Sequence, residues 1–231
     1  MLVLETFVYL CVSRDFMKTQ TETKEVKLKA IKATPKTGAE KISFENTETK
    51  YSLSNFWQWS VSDILSNATR GRFAEFIVGT AIDLDVRNLR DEWDAYDLTT
   101  NDGIKIEIKS ASYIQSWRQF DYSPISFSIK PAKHWDAENG MSRGEAKRHA
   151  DIYVFCLLKH KEQETIDPLK MEQWDFYVVP TYKLDNYTRS KSSITLNSLN
   201  KLVEAISYLE LKEKIYEKYN EQIEYKKKNL C

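Results

Sequence analysis

Residues 151–158, DIYVFCLL, form a near-continuous apolar run, and no other feature limits the fold as strongly. A run of this length and β-branched, aromatic character reads as a strand buried on both faces. Such a strand needs cover above and below, which implies a sheet with helices on its faces. WDFYVVPTYKLD (174–185) reads as a second strand that ends at Pro180 and passes into a helix. Upstream, residues 53–82 are mostly helical, with a break near SNATRG. There Ser66, Asn67 and Thr69 are cap candidates, and Phe73, Phe76, Ile77 and Thr80 fall on one face of the following helix.

YDLTTNDGIKIEIKSA (96–111) lies between these parts. Asp102-Gly103 between extended runs is a strong hairpin signal. Side chains alternate faces along a strand, so Ile104, Ile106 and Ile108 enter the core together while Lys105, Glu107 and Lys109 share the other face. SYIQSWRQF is expected as a short helix or loop, PISFSIKP as an extended segment, and AENGMSRGEAKRHA as polar with a helix in its second half. The tail from about Leu199 to Lys228 carries a helical apolar stripe through Leu202, Val203, Ile206, Leu209, Ile215, Tyr216, Tyr219 and Ile223. Its first half is expected to pack on the domain. Its second half projects, pairs with a second subunit to give a homodimer, or touches DNA backbone, and the sequence leaves the three open. Residues 18–50 are rich in Lys, Thr and Glu and read as an exposed arm, with a short strand at VKLKAI.

The order of elements predicts an α/β fold with a mixed central sheet flanked by helices. The expected organisation is an arm over 1–50, a catalytic-type domain over 51–195 and a C-terminal helix over 196–231. The 34 basic and 34 acidic residues cancel, so any nucleic-acid interface has to be a local basic cleft. Three scattered cysteines, Cys11, Cys156 and Cys231, give neither a disulfide framework nor zinc spacing, which fits a reducing cytoplasm. The opening MLVLETFVYLCVSRDF lacks a basic n-region and contains Glu5, so a signal peptide or membrane span is not expected. An extra strand, or translation from Met17, are the readings held for it.

The hairpin brings Asp97 alongside Glu107. Two neighbouring carboxylates repel and need a proton or a divalent cation between them, and an open, oxygen-rich site suits Mg²⁺ or Mn²⁺. Lys109, two residues beyond Glu107, falls beside the same ion, where it positions an attacking water or stabilises phosphate charge. Asp94 is the rival of Asp97, which is closer to the turn and better placed to face Glu107. His134, His149 and His160 have no ligand spacing among themselves. Arg118, Lys130, Lys133, Arg143, Lys147, Arg148 and His149 are candidates for a positively charged groove. Trp117, Tyr122 and Trp135 lie in nearby loops and are candidates for stacking.

Asp97, then Glu107-Ile108-Lys109, with Glu75 on an upstream helix, resembles the PD-(D/E)xK nuclease superfamily, the fold of many restriction endonucleases and repair nucleases. The likeness covers roughly residues 53–185, although Tyr96 stands where the motif has proline. The resemblance implies a restriction-endonuclease-like fold and Mg²⁺-dependent hydrolysis of phosphodiester bonds in DNA. It further implies Asp97, Glu107 and the Ile108 carbonyl as metal ligands, and Glu75 reaching the metal through water. Lys109 would be the water-positioning base or electrophile, and Gln115 would hold a phosphate or a bound water. The alternative from another class is a non-catalytic nucleic-acid-binding or assembly protein on the same scaffold.

Overall fold

All of Ile152–Leu158 is buried, and this strand stands at the centre of the architecture. The structure, a computed structural model, describes residues 31, 33–85, 95–136 and 141–229, with the backbone alone for 134–136 and 141–143. In chain order the elements are β1 (Lys41–Phe44), β2 (Thr47–Ser52), α1 (Leu53–Val61), α2 (Asn67–Ala81), β3 (Leu98–Thr99) and β4 (Lys105–Ser112). Then come β5 (Ser126–Ser128), β6 (Ala132–Asp136), β7 (Met141–Lys147), β8 (Ile152–Leu158) and β9 (Trp174–Pro180). The chain ends with α3 (Thr181–Asp185), β10 (Ser193–Thr195), α4 (Leu196–Leu199) and α5 (Leu211–Asn229).

The main sheet has the order β3-β4-β8-β9. β4 and β8 are parallel, with Glu107 opposite Tyr153, while β3–β4 and β8–β9 are antiparallel. It is therefore the expected mixed sheet. Strand alternation sends Ile152, Val154, Cys156 and Leu158 to one face, where they join Ile106, Ile108, Ala74, Ile77 and Val78 of α2, and Leu211 and Ile215 of α5. Tyr153, Phe155 and Leu157 go to the other face and meet Phe127, Ile129, Tyr177, Leu184, Ile194 and Leu199. Two helices cover the first face. The β5–β10 ribbon with α3 and α4 covers the second, so the helical cover is uneven.

Several local expectations change. The α2 face is rotated from the one anticipated: Ala74, Ile77 and Val78 are buried, whereas Phe76 is half exposed and stacks on Phe73. Ala74, with no side chain beyond Cβ, lets the helix approach the sheet, and the larger phenylalanine is left at the rim. The second half of AENGMSRGEAKRHA is strand β7, not helix. Gly144 has φ of +75°, outside the helical region, and β7 pairs with β6. The tail is not one helix from Leu199. Ile206 instead exchanges backbone hydrogen bonds with Phe176 at 2.8 and 3.0 Å, and α5 starts at Leu211. Within the supposed arm, β1 and β2 form a hairpin whose turn residues Glu45 and Asn46 both take positive φ. The strand expected at VKLKAI lies outside the described residues apart from Ile31.

The second half of α5 docks on its own domain. Gln222 is buried and accepts from the Tyr182 N–H at 2.9 Å, Tyr225 stacks on Tyr182 at 4.0 Å, and Lys226 reaches Asp151 at 2.9 Å. Among the described residues, no helix is long and apolar enough to cross a membrane.

The rotated α2 face can be tested by substitution. Ile77→Ala should destabilise the protein by about 2–5 kcal/mol through lost burial and a cavity. Phe76→Ala should cost well under half of that. Urea unfolding midpoints for the two variants measure the difference, and equal losses would contradict the assignment of the buried face.

Candidate active site

The β3–β4 connection is fixed by a dense set of backbone bonds. Thr100 N–H donates to the Ile104 carbonyl at 3.0 Å, Gly103 N–H donates to the Thr100 carbonyl at 2.9 Å, and Ile104 N–H donates to Thr100 Oγ1 at 3.0 Å. Gly103 takes φ of +84°, a left-handed conformation that glycine adopts without steric cost. The Tyr216 hydroxyl of α5 donates to Asp102 at 2.7 Å and ties the turn to the body.

Beyond that turn β3 is only two residues long, and its end is irregular. Leu98 is in register with Ile106, yet the Asp97 N–H also donates to the Ile106 carbonyl at 3.0 Å. Two successive residues facing one is the geometry of a β-bulge, which re-aims the side chain at that point. Asp97 is turned onto the edge of β4, where its Oδ2 accepts the Ile108 N–H at 2.7 Å. Within a strand, one residue's N–H and C=O point to the same side. The Ile108 carbonyl therefore points to the same edge as the Asp97 carboxylate.

Glu107 and Lys109 lie on the sheet face of Tyr153 and Phe155. Lys109 Nζ donates to Glu107 Oε1, and the pair is mostly buried, with side-chain exposures of 30 % for Lys109 and 19 % for Glu107. Burial pushes the Glu107 carboxyl above the usual carboxylate range; the Lys109 charge opposes this, and repulsion from Asp97 and Glu75 adds to it. Glu107 therefore feels both other acids. Tyr153, directly across from Glu107, has its hydroxyl pKa raised by burial and by the Glu107 charge, so it stays protonated. Among the described residues no group of three or more His, Cys, Asp or Glu could hold a metal ion between them. Glu75, half-buried on α2, thus reaches the pair through its charge rather than as part of a three-acid cage.

Gln115 sits just past β4 with both ends of its amide engaged. Its Oε1 accepts from Arg70 Nη1 at 3.1 Å, and its Nε2 donates to the Ser112 carbonyl at 2.8 Å and to Ser123 Oγ at 3.2 Å. This makes it a positioning residue for the loop after β4. Arg70 was not anticipated. It is 3 % exposed, donates also to the Leu65 carbonyl at 2.8 Å and to Asn67 Oδ1 at 2.6 Å, and burial lowers its pKa. Its signal in the sequence was the i, i+4 spacing to Ala74 and Val78, which places an arginine on the buried stripe.

The basic candidates divide. Lys147, Arg148 and His149 line a groove of about 580 Å³ together with Tyr96, Lys105, Asp151, Asp185 and Lys226; Asp97, Glu107 and Lys109 do not line it, and Tyr96 is the chain neighbour of Asp97. Arg148 has structural work there: its guanidinium bonds Asp185 at 2.7 Å and the carbonyls of Ile129 and Lys191 at 3.0 and 3.2 Å, and its side chain is 3 % exposed. His149 Nε2 lies 2.9 Å from the Ala132 carbonyl. Lys130 and Lys133 are exposed near the start of β6, and Arg118 lies on the loop after β4, over the Phe120 ring at 5.7 Å. The side chains of Arg143 and Trp135, and the whole of Asp94, lie outside the described residues.

The raised Glu107 pKa sets a pH dependence. Below about pH 4 the carboxyl is neutral folded or unfolded and carries no penalty. As pH rises through the folded-state value, the folded chain is charged at a cost the unfolded chain does not bear, so stability falls. With a chelator present, Glu107→Gln should melt above the parent at pH 7, with the gap closing toward pH 4. Thermal unfolding of both proteins at the two pH values checks this, and a variant no more stable at pH 7 would contradict it.

Residues 10–198 match the protein family described as bacteriophage T4 endonuclease IV. No curated protein matches the chain significantly. The family match spans most of the chain, including α2, β4 and β8, which carry Glu75, Glu107, Lys109 and Tyr153, and Asp97 just before β3. On that match, the chain belongs to the bacteriophage T4 endonuclease IV family.

Proposed function

We propose that this nuclease hydrolyses phosphodiester bonds in DNA as a divalent-cation-dependent endonuclease of the PD-(D/E)xK type, restriction-like or DNA-processing. The observation that carries this reading is the Asp97 carboxylate on the Ile108 N–H, beside a Glu107 carboxyl raised by burial and held by Lys109. The family's endonuclease description supports DNA cleavage.

The donor set fits Mg²⁺, with Mn²⁺ as a substitute. Asp97 and Glu107 offer two carboxylates and Ile108 a carbonyl at the same edge. Mg²⁺ typically takes one or two protein carboxylates and fills its other positions with water and substrate phosphate. A cation there also offsets the burial and the carboxylate repulsion that raise Glu107. When bound, the ion supplies Lewis acidity and neutralises charge that builds up on the phosphate.

The chain's own groups do the rest. Asp97 is held rigid by the Ile108 N–H, so its carboxylate needs no reorganisation to receive a positive charge. Lys109 carries three N–H donors; one is on Glu107, and the others orient a water for in-line attack or bond a phosphate oxygen. Glu75 adds negative charge close to the pair and holds a water on the α2 side. Lys105 and Lys147, in the basic groove, meet the phosphates of the bound strand, while Lys226 there is held by Asp151.

Lys109→Ala and Glu107→Ala should each lower plasmid cleavage in Mg²⁺ by at least about 10²-fold while leaving circular dichroism spectra unchanged. Mn²⁺ should raise the melting temperature of the parent and not that of Asp97→Ala. Cleavage by both alanine variants at the parent rate would refute the site. DNA binding without cleavage or a metal-dependent shift would make the protein a binding module on the same scaffold.

A further inference from the structure

The loop between β4 and β5 exposes aromatic rings on a frame that is tightly held. Phe120 is 98 % exposed, Trp117 53 % and Tyr122 49 %. The Ser123 N–H closes the loop onto the Tyr113 carbonyl at 2.9 Å. Inside it, Gln119 Oε1 accepts the Gln115 N–H at 2.6 Å, and Gln119 Nε2 donates to the Tyr113 carbonyl at 3.1 Å and to Ser123 Oγ at 3.0 Å. Buried Arg70 secures Gln115 from α2. A closed, internally bonded loop of this size has the character of an Ω-loop. Nothing in its own packing accounts for a phenylalanine held out in water, an arrangement the hydrophobic effect opposes.

The charges around these rings identify the occupant. The Arg118 guanidinium lies over Phe120 at 5.7 Å, and the Lys161 ammonium sits 4.3 Å from the Tyr113 centroid and 5.5 Å from that of Tyr122. Tyr122 also donates to the Lys161 carbonyl at 2.8 Å, which fixes the ring and the cation together. Cations interleaved with exposed rings match a nucleic-acid strand, with phosphates for the cations and base faces for the rings. The loop is also continuous with the site, because β4 carries Lys109 and leads directly into Tyr113. Four residues of strand span about 13 Å, the length of about four stacked nucleotides.

We propose that Phe120 is a base-stacking residue, which holds a nucleobase of the substrate strand several nucleotides from the scissile phosphate, with Arg118 and Lys161 on the neighbouring phosphates. The proposal rests on the nuclease reading of the Asp97–Glu107–Lys109 site. A phenylalanine side chain has only two rotatable bonds to fix, so ordering it against a base costs little entropy. Because Phe120 lies away from the reacting atoms, it acts on substrate binding and not on the chemical step.

The test uses a series of DNA oligonucleotides with 2-aminopurine placed at successive positions along the strand on either side of the cleavage site. On the Lys109→Ala background, binding should quench the fluorophore at one or two positions. Phe120→Ala should abolish the quench and weaken binding by on the order of tenfold or more, while Phe120→Trp keeps both. In the cleaving enzyme, Phe120→Ala should raise KM with kcat little changed, and Leu209→Ala, which removes another exposed apolar side chain far along the chain, should do neither. Parent-like quenching and KM in Phe120→Ala would overturn the proposal. So would a Phe120→Ala effect confined to oligomeric state by size-exclusion chromatography, which would mark the ring as a protein contact. Cleavage surviving Lys109→Ala would instead count against the underlying site, so the two failures are distinguishable.

Discussion

The site depends on one hydrogen bond, from the Ile108 N–H to Asp97 Oδ2. An edge strand carries backbone groups that need partners, and β3 is too short to serve β4 beyond Ile106. The bulge at Asp97 and Leu98 lets a side-chain carboxylate take the place of the next backbone acceptor. One substitution has two consequences: the β4 edge is satisfied, and a carboxylate is held beside the Ile108 carbonyl. The turn that makes this geometry is anchored from outside the sheet by Tyr216.

Around that bond the protein accepts an electrostatic cost. Glu107 is mostly buried, next to two other acids, and only Lys109 opposes the resulting penalty. A structural ion pair gains nothing from the nearby charges of Asp97 and Glu75. A site meant to receive a cation does, because ion binding converts the repulsion into affinity. The buried strand beside it makes the arrangement affordable. β8 is covered on both faces, so β4 is held against a rigid neighbour, while on its other edge the backbone pairing with β3 stops at Ile106.

What could be read from residue order was what local chemistry dictates. IYVFCLL (152–158) carries no charged residue and had to be internal; Asp102-Gly103 had to turn; and the alternation in IKIEIK had to separate isoleucines from charges. The juxtaposition of Asp97 with Glu107 followed from the same hairpin. The departures are non-local. Gly144 and the pairing with β6 override the helix-forming residues of β7. Ile206 leaves its helical stripe because Phe176, far back in the chain, offers it a backbone partner. On α2 the helical spacing places Ile77 and Phe73 toward the core, but the close approach at Ala74 turns Phe76 out to the rim. Arg70 escaped notice because a buried arginine is recognisable only once Gln115, 45 residues away, is beside it. Arg148 looked like a phosphate ligand until Asp185 and two carbonyls were seen to occupy its guanidinium.

The central claim is that the bulge, the hairpin and the Lys109 pair together build a cation site at the β4 edge. Anomalous diffraction from crystals grown with Mn²⁺ tests it most directly. The account predicts one strong peak about 2.0–2.3 Å from a carboxylate oxygen of Asp97, one of Glu107 and the Ile108 carbonyl oxygen. A peak elsewhere, or a fully ordered site with no peak and Glu107 still bonded to Lys109, would contradict it.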